Sequence, residues 1–439
     1  MIFLALLAMI LIVIAYHNEK LYYPILYTLI FLYMVFGTYM IRQSYQFPFF
    51  GNVTVYELLF ISLIIAGLFN GSAKYRNFKN IPTKNILIVF LFYYIILTIR
   101  NVLGADLFTT QMSYIRTFPF IFMMILVISV PNPTAMVKRL FTMIVFAAFI
   151  VSLVSLFISL TGYEMPGLNI EAYTRGKRIF WGSVGIYSTA TLFIITTFRF
   201  ASKRYKWFYS IVVLLSIIGV VNTQSRALLL MPIIAILSWA IFTKETNRIL
   251  KIAYGISIAG ISYLFIDVEI MGMYLNRFQL LGTDIDVLPY LTNSNLYFDE
   301  LGRWGPMIMS LRSNTDFISI MFGHGYDPGY LRDSIHLHSG FGYIYSSMGI
   351  IGLIVVYGLL ISTISKYRKF LKKIKIDCFE KEIMRITIYY MTVLTIFSLT
   401  IGNLIQGYAI TGWSLRFGLL ELCRRSILNK YYSNSKVLV

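Results

Sequence analysis

A chain of 439 residues in which 58% are hydrophobic and 13% charged is too apolar for a soluble globular protein. Its formal net charge of +19 does not mark a nucleic-acid binder, because the basic residues lie in short segments between long apolar runs, where membrane orientation places them. Two cysteines, Cys378 and Cys423, fall in segments assigned below to the cytoplasmic side, where thiols stay reduced. No Walker loop, H-E-x-x-H or paired-histidine metal pattern is present, so neither a metal nor another cofactor is expected.

Apolar runs predict spans near 2–16, 21–41, 53–70, 85–100, 114–130, 140–160, 179–198, 207–221, 227–243, 249–266, 340–365, 384–402 and 404–421. Met1–Tyr16 has no basic start and no small-residue cleavage site, so it reads as a retained span rather than a signal peptide. The expected fold is an all-α polytopic membrane protein of about twelve or thirteen transmembrane helices. Residues 1–439 form a single bundle, since no soluble domain, internal repeat or low-complexity tract interrupts the pattern.

Lysine and arginine placement gives the orientation. If Lys20 is cytoplasmic, the same side receives 26 of the 38 basic residues, among them Lys74–Lys84, Lys138, Arg139, Arg199–Lys206, Lys366–Arg385 and Arg424–Lys436. The opposite side holds eleven, and Arg416 falls inside a span. By this rule the C-terminus is cytoplasmic and the long polar stretch 267–338 is an extracytoplasmic loop before a late helix. That loop carries nine acids, four arginines and no lysine, and loops of such length in compact bundles are usually functional.

Several polar groups crowd this outer side. Arg175, Lys177 and Arg178 precede the seventh span; they suit an interfacial cluster or contacts to a glycan phosphate. Ser225 suits an N-cap, which puts Arg226 in the first turn of the next span. An arginine there opposes the helix dipole and the charge rule, so it calls for an anion nearby, from a lipid headgroup or a substrate. Arg303-Trp304 lies in the long loop, followed by the turn Gly323-His324-Gly325, where His324 is a turn residue with access to phosphate. The loop closes on His336-Leu-His338-Ser339 and runs straight into an apolar segment with glycines at 349 and 352. A helix starting near Ser339 would aim unpaired N–H groups and a positive dipole end at His338, attracting phosphate and keeping the imidazole neutral enough to act as a base. His336 points elsewhere if the backbone is extended there.

The spacing His338-Ser339, nine residues, Gly349, two residues, Gly352 resembles the histidine motif of the O-antigen polymerase and O-antigen ligase family of bacterial membrane glycosyltransferases. Ser225-Arg226 before an apolar span resembles the family's serine-arginine motif, with Ala227 where glycine is usual. Arg303-Trp304 and Gly323-His324-Gly325 resemble its arginine-tryptophan segment and glycine-rich turn. The resemblance covers about 207 to 365.

The resemblance implies an inverting, metal-independent transfer on the outer face of the bacterial plasma membrane, with a glycan linked to undecaprenyl pyrophosphate as donor. Arg226 and Arg303 would stabilise the departing pyrophosphate, and His338 would take the proton of the attacking hydroxyl. Ser225, Ser339, His324, His336, Arg175 and Arg178 are candidate substrate contacts. Implied partners are the lipid-linked glycan, membrane lipid and a protein that sets chain length. A polymerase, adding the growing glycan to a lipid-linked repeat unit, is favoured over a ligase acting on lipid A core. A transporter of lipid-linked oligosaccharide is the reading from another class; it would show ionisable or Gly/Pro-broken sites near mid-span.

Overall fold

The computed structural model describes residues 19–42, 44–47, 51–54, 80–104, 130–161, 169–173, 176–180, 185–222, 226–242, 316–323, 340–374, 376–398 and 408–436. Helices dominate. They are α1 (Glu19–Arg42), α2 (Lys84–Gly104), α3 (Pro133–Thr161), α4 (Ile186–Thr197), α5 (Lys203–Asn222), α6 (Arg226–Phe242), α7 (Phe317–Phe322), α8 (Gly340–Lys373), α9 (Phe379–Phe397) and α10 (Tyr408–Lys436). Nine of the thirteen expected spans coincide with these helices. Those at 2–16 and 249–266 lie outside the described residues, as do 114–130 before its last residue and 53–70 beyond its first two. Of the long loop 267–338, only 316–323 is described.

Among the described residues two helices, α3 and α8, are long and apolar enough to cross a membrane. Asn132 starts α3: its side-chain oxygen accepts from the Ala135 N–H at 3.1 Å, and Pro133 takes the first helical position, where it needs no N–H partner. One face of α3 is buried through Met136, Val137, Leu140, Ala147, Ala148 and Val151 against α1, α4, α5 and α10. The other leaves Phe146, Phe157 and Leu160 exposed, the last by 77%. The same is true of α2, where Ile88, Val89, Phe92, Ile96 and Ile99 face outward. Apolar surface on this scale calls for lipid or another protein around it.

The structure differs from the sequence expectation in three places. Two short antiparallel hairpins, β1 (Ser44–Phe47) with β2 (Gly51–Thr54) and β3 (Asn169–Tyr173) with β4 (Gly176–Phe180), accompany the helices, so the chain is mainly rather than wholly helical. Residues 179 and 180, expected to open the seventh span, belong to β4. The helix α4 that follows has 12 residues, about 18 Å, which is short for a span. Finally, α3, α9 and α10 extend well into segments expected to be loops.

Those extensions meet in one polar layer. Glu382, fully buried on α9, accepts from Arg385 Nη1 (2.6 Å), Arg199 Nη2 (3.2 Å) and Trp239 Nε1 of α6 (3.1 Å). Glu421 on α10 accepts from the Tyr367 hydroxyl of α8 (2.9 Å) and from both Nε and Nη2 of Arg424 (2.8 and 2.7 Å). Glu380 accepts from Lys430 at 2.6 Å. Around them Lys366 reaches the Pro82 carbonyl, Arg424 the Asn80 carbonyl and Arg425 the Val130 carbonyl. Segments rich in lysine and arginine, far apart in sequence, thus gather at one end of the bundle. Cys378 and Cys423 lie here too, both buried free thiols, and burial pushes the Cys378 thiol up.

Candidate active site

The polar layer fixes the other end by subtraction. Trp239 is thirteen residues beyond Arg226 on α6, about 20 Å along the axis. Gly340 of α8, Ile186 of α4 and Tyr408 of α10 likewise stand at the far ends of their helices from Tyr367, Arg199 and Glu421. The starts of α4, α6, α8 and α10 therefore share one end, and Arg226 is the first residue of α6, as a serine cap at 225 predicts. The Phe341 N–H donates to the Ser398 carbonyl at 3.0 Å, tying the start of α8 to the end of α9.

Helix α8 is broken. Gly349 has φ 68° and ψ −166° inside it, a conformation open to glycine alone, so the buried half-helix Gly340–Met348 meets the longer Ile350–Lys373 at a kink. The kink frees the Met348 carbonyl, and the Tyr93 hydroxyl of α2 donates to it at 2.6 Å, satisfying a buried acceptor.

What fills the kink is the turn after α7. A capping box starts that short helix: Asp316 Oδ1 accepts from the Ser319 N–H at 2.9 Å and Ser319 Oγ accepts in return from the Asp316 N–H. Hydrogen bonds from Ser319 hold the Asp316 carboxyl below the usual carboxylate range. The helix ends at Gly323, with φ 71°. A Cβ on Gly323 would lie 2.3 Å from the backbone of Ser347, and one on Gly349 would lie 2.3 Å from the Met321 carbonyl oxygen. Two backbones are in direct contact, and each tolerates only glycine. Gly323 and Gly340, the described residues on either side of 324–339, thereby both belong to or contact the same half-helix, whose nine residues span about 13 Å.

His324, His336, His338, Ser339, Arg303, Ser225 and Arg175 lie outside the described residues. Arg226 is placed by its backbone at the start of α6, and Arg178 stands in β4 opposite Glu171 of β3. The described structure thus brings together the glycines of the histidine motif and of the preceding turn, and puts Arg226 at the same end.

Sequence reading left two residues without a role. Tyr93 carries no local signal, because its partner is 255 residues away. Arg416 was visible as a charge inside a span. No protein-family model matches this chain, and no curated protein matches it.

Proposed function

We propose that this chain is a polytopic membrane glycosyltransferase, an O-antigen or surface-polysaccharide polymerase that extends undecaprenyl-pyrophosphate-linked glycan on the outer face of the bacterial plasma membrane. The observation that supports it most is the close packing of Gly323 on the backbone of Ser347 and Met348, and of Gly349 on that of Met321 and Phe322. The resemblance joins a glycine-rich turn to a histidine motif, and these segments meet backbone to backbone at two of the glycines that define them. The described residues on either side of the histidine-bearing segment are thereby held together, as a residue acting on a bound substrate requires.

The chemistry follows from the residue types. The acceptor hydroxyl oxygen bonds to the anomeric carbon of the donor glycan as the bond from that carbon to the pyrophosphate breaks. His338 takes the hydroxyl proton. Arg226 and Arg303, always charged and able to bind phosphate through two N–H groups, stabilise the leaving pyrophosphate. Attack opposite the leaving group inverts the anomeric configuration.

The test is transfer by the purified protein, in detergent, from the lipid-linked repeat unit. A ladder of products that disappears in His338→Ala and falls at least a hundredfold in Arg226→Ala supports polymerisation. A single product formed only when lipid A core is added makes the protein a ligase. Transport is the second reading, and two observations favour it: the glycine break in α8 and Arg416 within α10. If wild type forms no product but moves lipid-linked oligosaccharide across a vesicle bilayer, the glycosyltransferase reading fails.

A further inference from the structure

Arg416 sits in the middle of α10, eight residues on the N-terminal side of Arg424, about 12 Å from the polar layer. It differs from the cations of that layer in its company. Among the described residues no carboxylate pairs with it, whereas Arg385, Arg424 and Lys430 each have one. Its guanidinium carbon lies 5.0 Å from the ring centroid of Tyr390 on α9, and the Tyr390 hydroxyl is within electrostatic reach of Arg416 and of Ser188 of α4. Its Nε is buried and makes no hydrogen bond.

Two glycines shape the surroundings. A Cβ on Gly412, one turn earlier on α10, would lie 3.0 Å from Nη1, so the side chain folds back toward the N-terminal end of its helix. A Cβ on Gly185 would lie 3.6 Å from Nη2. Gly185 is the N-cap of the 12-residue α4 and offers no side-chain oxygen to the first turn. The guanidinium therefore faces the positive end of a helix dipole, which raises the cost of its charge rather than lowering it. A cation and a helix N-terminus aimed at one place, with a buried N–H left over, is the donor set that recognises phosphate.

We propose that Arg416, Tyr390 and the N-terminus of α4 bind a phosphate or pyrophosphate group carried by a lipid, within the helix bundle. The proposal rests on the reading of the chain as a membrane-spanning bundle that handles lipid-linked substrate. The end of α9 at Ser398, where α8 begins, is eight residues beyond Tyr390, so the site lies about two helical turns inside that end. A bulk phospholipid headgroup stays at the interface, so this depth favours a long-chain polyprenyl carrier entering between helices.

The experiment uses the full chain in lipid nanodiscs, with undecaprenyl pyrophosphate, phosphatidylglycerol and inorganic pyrophosphate as separate probes, read by native mass spectrometry. Wild type should bind undecaprenyl pyrophosphate saturably and more tightly than the other two. Arg416→Gln should weaken that binding at least tenfold and Arg416→Lys less. Gly185→Asp provides a variant that keeps the fold, since φ is −77° there and the new side chain has ordinary contact distance. Its carboxylate would pair with Arg416, abolishing phosphate binding while raising the melting temperature. Equal affinity in wild type, Arg416→Gln and Gly185→Asp, or wild-type preference for phosphatidylglycerol, overturns the proposal. Binding lost in these variants, with no glycan transfer by wild type, upholds the phosphate site and sinks the polymerase reading alone.

Discussion

The two ends of the bundle treat charge in opposite ways. At the end holding Glu380, Glu382 and Glu421, every buried carboxylate among the described residues has a basic partner on its own or a neighbouring helix, and Lys366, Arg425 and the already paired Arg424 reach carbonyls. Toward the other end the backbone is broken at Gly349, and Arg416, with a buried Nε that makes no hydrogen bond, has no carboxylate partner among the described residues. The first network pairs each carboxylate group with a cation and holds helices in register, with Glu380 Oε1 alone of its carboxylate oxygens buried and without a hydrogen bond. A buried cation without a carboxylate costs stability, and such residues mark candidate ligand sites. The contrast separates a charge-paired end from the end proposed to bind substrate.

The largest effect that tests this division is at the carboxylate-rich end. Glu382→Ala removes the acceptor shared by Arg385, Arg199 and the Trp239 N–H, leaving Arg199 its pair with Asp377 at 2.6 Å, and should cost about 3 to 5 kcal/mol. Loss of monodisperse protein on size-exclusion chromatography in detergent, or a large fall in melting temperature, is the expected reading. Glu382→Gln keeps an acceptor for Trp239 and should cost less. An alanine variant as stable as wild type would mean that the layer does not hold α6 to α9.

At the other end Gly349→Ala should cost about 3 kcal/mol, from the glycine-only backbone angles and the collision with Met321. Glycan transfer should fall further than stability does, because the anchor of the histidine segment is lost with it. Tyr93→Phe removes only the donor to the Met348 carbonyl and should cost about 1 kcal/mol. If Gly349→Ala keeps full stability, the break in α8 has no structural partner and the comparison fails at that end.

Much of this division was legible in the chain. That Arg199, Lys366 and Arg424 share one end was written in loop charge, and Lys366 and Arg424 do meet the carbonyls at 82 and 80. Helix ends were misjudged where charges continue a helix. Glu380, Glu382 and Arg385 look like a loop to any hydropathy window, and become helix because their partners, Arg199, Trp239 and Lys430, come from elsewhere. The start of α3 was signalled by Asn132-Pro133 but masked by Lys138 and Arg139 on its first turns. Gly349 was legible as a motif position only. Its positive φ depends on Met321, which approaches across a segment that sequence alone does not fold.

The finest test is at Asp316, outside the spans. Hydrogen bonds from Ser319 depress its carboxyl below the usual value, so the charged form is the one that favours α7. A depressed folded pKa contributes stability that is present above the unfolded value of about 3.9 and is lost as pH falls through the lower folded value. Asp316→Asn keeps an acceptor for the Ser319 N–H but removes the charge at the helix start. Amide exchange at Ser319 to Gly323 should then be faster than wild type by a factor of a few at neutral pH. The two proteins should converge only as pH falls through the depressed folded value, where wild type protonates and loses the same advantage. A difference that persists unchanged at low pH would assign the effect to side-chain geometry, and would leave the contact of Gly323 with α8 independent of how α7 is capped.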